Sequence, residues 1–227
     1  MEFTLEVVVD VRAVTKTYRT QATEVPAVRN ATFALHAGEF VALTGPSGCG
    51  KSTLLNLLAC VDSPTLGSIS IYGRNVSGLN DDDLTRVRRE RIGYVFQFFN
   101  LIPTMTVREN VELPLLLAGA TRARAKAAVD AALERTSIVD QASKLPAYLS
   151  GGQQQRAAIA RAVVHGPALV LADEPTGNLD SATGDEILEL LRSCAAKGAA
   201  VLMATHSAEA SAKADRMLRM RDGALEN

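Results

Sequence analysis

The sequence predicts an α/β fold that carries a helical insertion and a small antiparallel β-sheet beside its core. Three observations lead to this prediction. Apolar runs alternate with glycine- and proline-containing breaks in a strand–helix rhythm over most of the chain. Residues 98–166 offer only helical patterns after a proline-containing loop, and short β-rich segments lie at residues 7–40 and 68–72. The 227 residues suit one globular domain with an inserted subdomain.

The strands and helices follow in order along the chain. EFVALTG (39–45) is an apolar run that ends in glycine and predicts a buried strand, and KSTLLNLLAC (51–60) predicts the helix after it. GSISIYG alternates with period two and predicts an antiparallel strand that faces the surface. DDDLTRVRRER begins with three aspartates, whose carboxylates suit the positive end of a helix dipole. IGYVFQ, ALVLAD and AAVLMATH predict further strands, and TVRENVELPLLLAG, TRARAKAAVDAALERTSIV and SGGQQQRAAIARAVVH predict the helices of the insertion.

The composition argues against several functional classes. A net charge of −1, from 24 basic and 25 acidic residues, leaves no electrostatic footprint for nucleic acid, so we expect no nucleic-acid partner. No window approaches the roughly 18 apolar residues that cross a bilayer, and the N-terminal stretch lacks the features of a signal peptide. Cys49, Cys60 and Cys194 form neither a metal-ligand spacing nor an even disulfide set. We therefore expect a cytoplasmic protein, unless a partner holds it at a membrane.

The stretch GPSGCGKS lies between the first predicted buried strand and its helix and matches the phosphate-loop pattern G-x-x-x-x-G-K-[ST]. Its glycines can adopt backbone angles that other residues avoid, so that successive amides and the helix N-terminus hold phosphate oxygens. Lys51 should reach the β- and γ-phosphates, and Ser52 should supply a hydroxyl to Mg²⁺. A chance glycine-rich turn would not have the correct context on both sides, so we predict a nucleoside triphosphate site. The predicted nucleotide contacts are Gly45, Pro46, Ser47, Gly48, Cys49, Gly50, Lys51, Ser52 and Thr53.

A pair of carboxylates closes the predicted strand in LVLADEPTGNLD. In phosphate-loop enzymes an aspartate at such a strand end holds Mg²⁺ through water, which predicts that role for Asp173. The adjacent Glu174 is suited to orient or deprotonate the attacking water. Such a pair can also serve only as a helix cap or a turn, but the phosphate loop upstream favours catalysis. We therefore predict hydrolysis as well as binding.

A second glycine turn, LSGGQ, opens a predicted helix about a hundred residues after the first. Ser150 and Gln153 have the spacing of a capping box, which satisfies free amides at a helix start. Gly151 and Gly152 are poor helix formers and suggest that the backbone approaches something closely, and an exposed helix N-terminus favours an anion. No lysine and no acidic strand accompany this turn. We therefore interpret it as half of a site that closes on the γ-phosphate held by a second copy of the chain.

The stretches GPSGCGKST, VFQ, LSGGQQQRAAIARA, LADEPTGNLD and ATH occur in that order. This set resembles the ATP-binding cassette (ABC) ATPases, and the resemblance covers essentially the whole chain. It implies a RecA-like phosphate-loop core with an antiparallel β subdomain (residues 1–97 and 167–227) and a helical subdomain with the signature turn (residues 98–166). It also implies ATP and Mg²⁺ as ligands, ATPase activity, and a homodimer clamped by ATP.

The resemblance assigns roles to four further residues. Gln97 would sense Mg²⁺ and the attacking water while it contacts a transmembrane partner, and it counts as a catalytic residue and a metal ligand. Asp180, in GNLD, would communicate across the dimer. His206 would be the switch residue that touches the γ-phosphate, although a histidine at a strand end is more often structural. Tyr18, in TKTYRT, falls where the family places an aromatic that stacks on adenine, and a plain core role is the alternative.

A narrower resemblance points to the branch of the family that serves lipoprotein release, macrolide export and mechanically acting permeases. It is carried by VFQFFNLIPTMTVRENVELPLLLAG and DEPTGNLDSATG. Phe96, Phe98 and Phe99 flank Gln97 and suit a groove that receives a helix from an integral membrane permease, although packing between subdomains is the alternative. The resemblance thus implies a location on the cytoplasmic face of the inner membrane. A permease-like regulator that transports nothing, a solute importer and a soluble ABC protein stay open as alternatives.

Overall fold

The computed structural model describes residues 6–19 and 23–226, and it has the α/β architecture with two sheets that the sequence predicts. Residues 1–5, within the stretch assessed above for a signal peptide, lie outside the described residues. The strands are β1 (Val7–Arg19), β2 (Glu24–His36), β3 (Phe40–Thr44), β4 (Leu66–Ile71), β5 (Arg74–Asn75), β6 (Ile92–Val95), β7 (Leu169–Asp173), β8 (Ala200–Thr205), β9 (Arg216–Arg221) and β10 (Ala224–Glu226). The α-helices are α1 (Lys51–Leu58), α2 (Asp81–Arg91), α3 (Val107–Leu117), α4 (Arg122–Arg135), α5 (Gly151–Val163), α6 (Ser181–Ala196) and α7 (Ala208–Ala212).

The larger sheet has six strands in the order β10-β9-β3-β8-β7-β6. All neighbours pair in parallel except β9 and β10, which form an antiparallel hairpin. Parallel strands are covered on both faces, which is why β3, β7 and β8 read as continuous apolar runs. Alternate side chains serve the two faces: Val41 and Leu43 join one buried cluster, and Phe40 and Ala42 join the other.

The smaller sheet is antiparallel, in the order β2-β1-β4-β5, as the β-rich segments predict. Inward residues of β1 and β2, such as Val9, Val11 and Leu35, share one buried cluster with Leu54 and Leu58 of α1. The phosphate-loop helix therefore lies between the two sheets. This position fixes the helix that follows the loop against both of them.

The segment between β6 and β7 contains only helices, together with two short 3₁₀ turns at Val139–Gln141 and Pro146–Tyr148. The helices α3, α4 and α5 share a separate buried cluster that includes Val111, Leu133 and Ala160. Helix α5 also contributes Ile159 and Val163 to the cluster beneath the large sheet. The helix that begins at the second glycine turn thus packs against both the helical part and the α/β core.

The elements α6, α7, β9 and β10 are not among those that the sequence analysis predicts. In β9 the residues Arg216, Leu218 and Met220 alternate inward, but an inward arginine hides the apolar alternation. Arg216 is accommodated because its Nε donates to Glu39 at 2.7 Å. The hairpin matters for the phosphate loop, since the Gly223 amide donates to the Cys49 carbonyl at 2.9 Å. No helix in the described part of the chain is long and apolar enough to cross a membrane.

Candidate nucleotide site

Four strands of the large sheet end at one edge, and each is followed by residues that the sequence singles out. Because β3, β6, β7 and β8 run parallel, their carboxyl ends meet there, the usual position of ligand sites in open α/β sheets. The phosphate loop follows β3, and Gln97 follows β6. Asp173 ends β7, and His206 follows β8. The fold therefore brings the predicted phosphate, metal and catalytic residues to one place.

Glycine is required in the phosphate loop for two reasons: other backbone segments approach closely, and some positions have a left-handed φ. A Cβ on Gly45 would lie 2.1 Å from the Met220 carbonyl oxygen, and one on Gly50 would lie 2.2 Å from the Ala27 carbonyl oxygen. Gly48 instead has a left-handed φ of +77° and faces open space. The loop is thus held between β2 and β9 at its ends, while its middle is open to a ligand.

Lys51 and the start of α1 provide the positive charge of the loop. The Lys51 side chain is only 7% exposed, and its Nζ donates to the Gly45 and Pro46 carbonyls at 2.8 and 3.0 Å. Among the described residues, no carboxylate lies within ion-pair distance of this ammonium. The N-cap Gly50 makes no side-chain capping bond, so the first amides of α1 are free for a phosphate. The loop borders a cavity of about 440 Å³, a volume suited to a small-molecule ligand.

Asp173 and Ser52 form an oxygen donor set beside the loop. Burial raises the pKa of the Asp173 carboxyl, and the hydrogen bond from Ser52 opposes this, as does the charge of Lys51. Within residues 6–19 and 23–226, no group of three or more His, Cys, Asp or Glu side chains could hold a metal alone. Mg²⁺ usually takes one or two carboxylates together with substrate phosphates, so one carboxylate and one hydroxyl fit that ion.

Glu174 and His206 are in contact at the same sheet edge. The His206 Nδ1 lies 2.7 Å from the Glu174 Oε2, and the side chains are 66% and 14% exposed. Glu174 has a φ of +47°, which is strained for a residue with a side chain. Its amide donates to the Ala204 carbonyl at 3.0 Å, which holds it in this conformation. The carboxylate is thus sheltered, and its backbone is held in place by β8.

Gln97 lies in the loop after β6 and faces the segment that follows Glu174. A Cβ on Gly177 would lie 3.6 Å from the Gln97 Nε2 and 3.7 Å from the Glu174 Cβ, so the two side chains converge on Gly177. The Gln97 carbonyl accepts a hydrogen bond from Asn178 at 3.1 Å. The position of Gln97 is therefore coupled to the segment that follows Glu174.

The three phenylalanines around Gln97 have different surroundings. Phe98 is 71% exposed, and Phe96 packs near Tyr94 with ring centroids 4.4 Å apart. The ring of Phe99 instead approaches the second glycine turn, at 3.8 Å from where a Cβ of Gly151 would be. Part of the aromatic cluster thus serves internal packing, and part of it is available to a partner.

Tyr18, near the end of β1, is 41% exposed, so it is not a core residue. Its hydroxyl donates to the Asp62 Oδ2 at 2.9 Å. Burial and the Asp62 hydrogen bond raise the pKa of the Tyr18 phenol, and a hydrogen bond with Thr53 lowers it in part. Since Thr53 belongs to α1, the ring lies beside the phosphate loop.

The second glycine turn is a complete capping box. Ser150 Oγ accepts from the Gln153 amide at 3.3 Å, and Gln153 Oε1 accepts from the Ser150 amide at 3.0 Å. Gly152 is explained by packing, since its Cβ would lie 2.5 Å from the Thr183 Cγ2, whereas Gly151 would meet nothing closer than 3.5 Å. The close approach inferred from two glycines thus has an internal cause at Gly152, and only Gly151 leaves room for a ligand.

Asp180 is the N-cap of α6, where its side chain accepts from the Thr183 amide at 3.0 Å and from the Thr183 hydroxyl at 2.7 Å. It also lines a cavity of about 240 Å³ together with Glu174 and His206. In the part of the chain that the structure describes, no hydrogen bond or ion pair joins the turn at residues 150–153 to the phosphate loop. Within one chain, the second glycine turn and the phosphate loop are therefore separate features.

Sequence reasoning misses several residues that build the site. Gln155 is fully buried and donates to the Pro175 carbonyl at 2.8 Å, which links α5 to the segment after Glu174. Asn178 fixes the Gln97 loop, and Asp62 holds Tyr18. Their partners lie 20 to 81 positions away, so no local pattern reveals them. Thr183 alone follows a recognisable signal, since it stands three residues after an N-cap aspartate.

Comparison with known proteins supports the resemblance to the ABC ATPases. The family model described as ABC transporter matches residues 28–177. The chain is 46% identical over 210 residues to the macrolide export ATP-binding/permease protein MacB of Brucella melitensis, a match that covers 92% of this chain and 32% of MacB. This chain thus spans about a third of the length of that relative. It is also 46% identical over 211 residues to an uncharacterized ABC transporter ATP-binding protein of Thermotoga maritima, with 93% of this chain and 90% of that protein covered.

Solved structures share the fold. The bacterial ABC transporter cassette MJ0796, described as dimeric, has a TM-score of 0.89 and 41% sequence identity, with 96% of this chain and 97% of that chain covered. A second structure of that cassette, with the same score and identity, is described as a post-hydrolysis state bound to ADP and Pi. The predicted fold class is confirmed by these neighbours.

Proposed function

The chain belongs to the ABC transporter family, as one of its ATP-binding domains, and on this basis we propose that it is the ATPase subunit of a membrane transport complex. Two copies bind two molecules of ATP between them, close on the nucleotides, and transmit force to an integral membrane permease. The reaction is the hydrolysis of ATP to ADP and phosphate. The proposed place of the chain is the cytoplasmic face of the membrane, through that permease.

The observation that carries this proposal is the separation of the two glycine turns in one chain. The phosphate loop, Asp173 and Glu174 lie at one sheet edge, whereas the turn at residues 150–153 begins a separate helix. Among the described residues, no hydrogen bond or ion pair joins this helix N-terminus to them. A helix N-terminus attracts anions. A two-fold pair of chains would give each nucleotide one phosphate loop and one second turn. The dimeric description of the cassette MJ0796 supports this arrangement.

The proposed catalysis depends on positioning and charge more than on covalent chemistry. The loop amides and Lys51 hold the phosphates, and the Tyr18 ring stacks on the adenine. Mg²⁺, held by Ser52, Asp173 and phosphate oxygens, would neutralise charge on the phosphates when it is bound. Gln97 orients the attacking water beside Glu174. We assign these roles to the residues that converge on the sheet edge.

Glu174 is the proposed general base. The water oxygen forms a bond to the γ-phosphorus while Glu174 accepts the water proton, and the bond from the γ-phosphorus to the bridging oxygen breaks to leave ADP. The His206 Nδ1 lies 2.7 Å from the Glu174 Oε2. The His206 ring is mostly exposed and can turn toward a γ-phosphate. Asp180, beside the same cavity, would report closure from one copy to the other.

A groove between α2, α3 and α5 is the proposed docking surface for the permease. It has a volume of about 390 Å³. Its apolar walls are formed by Ile92, Tyr94, Leu113, Pro114 and Leu117. Arg88 and Arg89 border it, and the exposed Phe98 follows the neighbouring strand β6. An apolar groove with a basic rim suits an amphipathic helix with an acidic edge. The match to the MacB family of sequences favours a permease of the export, lipoprotein-release or mechanical type.

The proposal is tested by affinity capture of tagged Glu174→Gln protein from gently solubilised membranes with MgATP. A Leu117→Asp variant, which alters the groove but not the nucleotide site, is the matched control. We expect the Glu174→Gln protein to recover a multi-span membrane protein and the groove variant to lose it.

Four spans with a large extracytoplasmic domain would favour the export or mechanical type, and six spans would favour an importer. Recovery of no membrane protein by a variant that still dimerises would contradict the permease partnership.

A further inference from the structure

We propose that Asp62, in the turn after α1, is a positioning residue for the nucleotide base, because it fixes Tyr18 and Lys16 in the arrangement that presents the tyrosine ring. This inference rests on the proposed function, in which Tyr18 stacks on adenine. Asp62 itself does not contact the base. It acts through the two side chains that it holds.

One carboxylate serves both residues of β1. Asp62 Oδ1 lies 2.5 Å from the Lys16 Nζ, and Asp62 Oδ2 accepts from the Tyr18 hydroxyl at 2.9 Å. Lys16 is further fixed by the Ser63 carbonyl at 2.9 Å. Both members of the ion pair are sheltered, with 14% of the Lys16 side chain and 28% of the Asp62 side chain exposed. A partly buried pair with a second acceptor is better defined than an exposed one.

The geometry leaves the tyrosine ring oriented and available. Lys16 and Tyr18 lie on the same side of β1, since both side chains reach Asp62, although the pairing of β1 with β2 is irregular between Lys16 and Thr17. The Lys16 Nζ lies 5.0 Å from the Tyr18 ring centroid, within the range of a cation–π contact. The ammonium thus lies over one ring face, and 41% of the surface of Tyr18 stays exposed, which gives a planar base access to the ring. Without Asp62, both the ring hydroxyl and the ammonium would lose the acceptor that fixes them.

The turn that carries Asp62 also sets the distance from the Tyr18 ring to the phosphate loop. The Asp62 amide donates to the Asn56 carbonyl of α1 at 3.3 Å, and α1 begins at Lys51. On the other side, the Thr65 amide donates to the Thr15 carbonyl at 2.8 Å and Thr65 Oγ1 accepts from the Thr17 amide at 3.0 Å. The turn is therefore tied to the phosphate-loop helix and to β1. The base and the triphosphate belong to one ligand. A fixed distance between the Tyr18 ring and the phosphate loop therefore favours binding, because less ordering is needed when the ligand binds.

The charge state of Asp62 is consistent with this role. Partial burial by itself would raise the pKa of the carboxyl, but hydrogen bonds from Lys16, the Ser63 amide and Tyr18 bring the pKa below its ordinary value. The group is therefore ionised at neutral pH and accepts from both side chains at once. An asparagine would offer only one acceptor oxygen.

The test compares two ligands that differ in the base. The affinity of the full chain for MgATP and for magnesium tripolyphosphate, which has no base, is measured by calorimetry for Asp62→Ala, Asp62→Asn and Tyr18→Ala. We expect Asp62→Ala to weaken ATP binding about tenfold, the effect of one charge-assisted hydrogen bond, and to leave tripolyphosphate binding within about twofold. KM for ATP should rise while kcat at saturation holds. Asp62→Asn should be intermediate, and it replaces the alanine variant if that protein does not fold. Asp10→Asn, at the other end of β1, where the carboxylate pairs with Arg12, is the control.

The outcomes separate this inference from the proposed function. If Tyr18→Ala weakens ATP binding and Asp62→Ala does not, the positioning role is wrong and the stacking role stands. If Tyr18→Ala leaves ATP binding unchanged, the base platform is absent and Asp62 has nothing to position. Equal losses for ATP and tripolyphosphate would mean that Asp62 acts on the phosphate loop, which also overturns the inference. In a Tyr18→Ala background we expect Asp62→Ala to have no further effect, and full additivity would contradict this.

Discussion

At the scale of single residues, Glu174 combines features that a purely structural carboxylate would not need. It is sheltered, it has a left-handed backbone conformation, and its side chain contacts a mostly exposed histidine. Strained residues persist where the surroundings over-determine them, and they cluster at functional sites. Glu174 also follows Asp173 directly, and its charge raises the pKa of that neighbouring carboxyl. This arrangement favours a base over a cap.

The replacement Glu174→Gln tests that assignment. It keeps the size and one acceptor but removes the proton acceptor, so we expect hydrolysis to fall by ~10²–10⁴-fold while ATP binding is retained. Single-turnover phosphate release and ATP affinity are the two measurements. Glu189→Gln, an exposed change on α6, is the matched control. A Glu174→Gln protein that keeps more than about a tenth of the rate would rule out general-base catalysis by this residue.

Sequence reasoning reaches some residues of this site and not others for a physical reason. Lys51, Asp173 and Glu174 are found because a short motif fixes their place relative to a strand and a helix. Asp62 stands 44 positions from Tyr18, and their contact exists only once α1 and β1 pack. The same holds for Gln155 and Pro175. Partners that depend on tertiary packing leave no local signal.

At the scale of elements, two helices of the helical part begin with the same device. Thr106 with Glu109 opens α3, and Ser150 with Gln153 opens α5, each with both bonds of a capping box. Only the second contains two glycines. The matched pair of boxes allows the structural contribution of a cap to be separated from a role in ligand binding.

We predict that Thr106→Ala and Ser150→Ala lower the free energy of unfolding by similar amounts, about 1 kcal/mol each, because each removes one cap. Only Ser150→Ala should also reduce ATP hydrolysis, since only that turn faces the proposed partner nucleotide. Urea denaturation and steady-state ATPase rates measure the two effects. Equal loss of activity in both variants would mean that the second turn acts only as a helix cap and has no role in ligand binding.

The packing of α5 against α6 gives another prediction. Alanine at position 152 would place its Cβ 2.5 Å from the Thr183 Cγ2, and overpacking of this kind costs about 1–3 kcal/mol. We expect Gly152→Ala to lower the thermal midpoint, and Thr183→Ser in the same chain to restore it. Serine keeps the hydroxyl that donates to Asp180. A double variant that melts as low as Gly152→Ala alone would show that the overlap is not the cause.

Elements with a continuous apolar run or a capped helical pattern are predicted well, and those whose pattern is interrupted are not. The strand β3 follows from its continuous apolar run, the helix α2 from the three aspartates at its start, and the helix α5 from its capping box and helical pattern. The strand β9 is not predicted, because Arg216 faces inward and is accommodated by Glu39, which precedes β3, and by the Ala34 carbonyl of β2. The pairing of β3 with β8 joins strands more than 100 residues apart, so it depends on the whole fold and leaves no local pattern in the sequence.

At the scale of the whole molecule, the fold places the proposed hydrolytic residues and the helix start at residues 150–153 on one chain. In the part of the chain that the structure describes, no hydrogen bond or ion pair joins them. The helical part carries the second turn, and α5 packs against both that part and the α/β core. A shift of the helical part would therefore move the second turn relative to the phosphate loop. The proposed cycle uses this: ATP draws two copies together, and hydrolysis releases them. The groove between the two parts would transmit the movement to the permease.

The measurement that tests this account most directly is the mass of the Glu174→Gln protein in solution, with MgATP and with MgADP. We expect twice the 24.1 kDa of one chain with MgATP and a single chain with MgADP. Adding Ser150→Asp keeps a residue that caps helices well but faces the partner's phosphate with a negative charge. That double variant should bind ATP and stay monomeric, whereas the matched Ser150→Asn change should still permit the dimer. A Glu174→Gln protein that stays monomeric with ATP bound, or an unimpaired dimer with Ser150→Asp, would contradict the composite site.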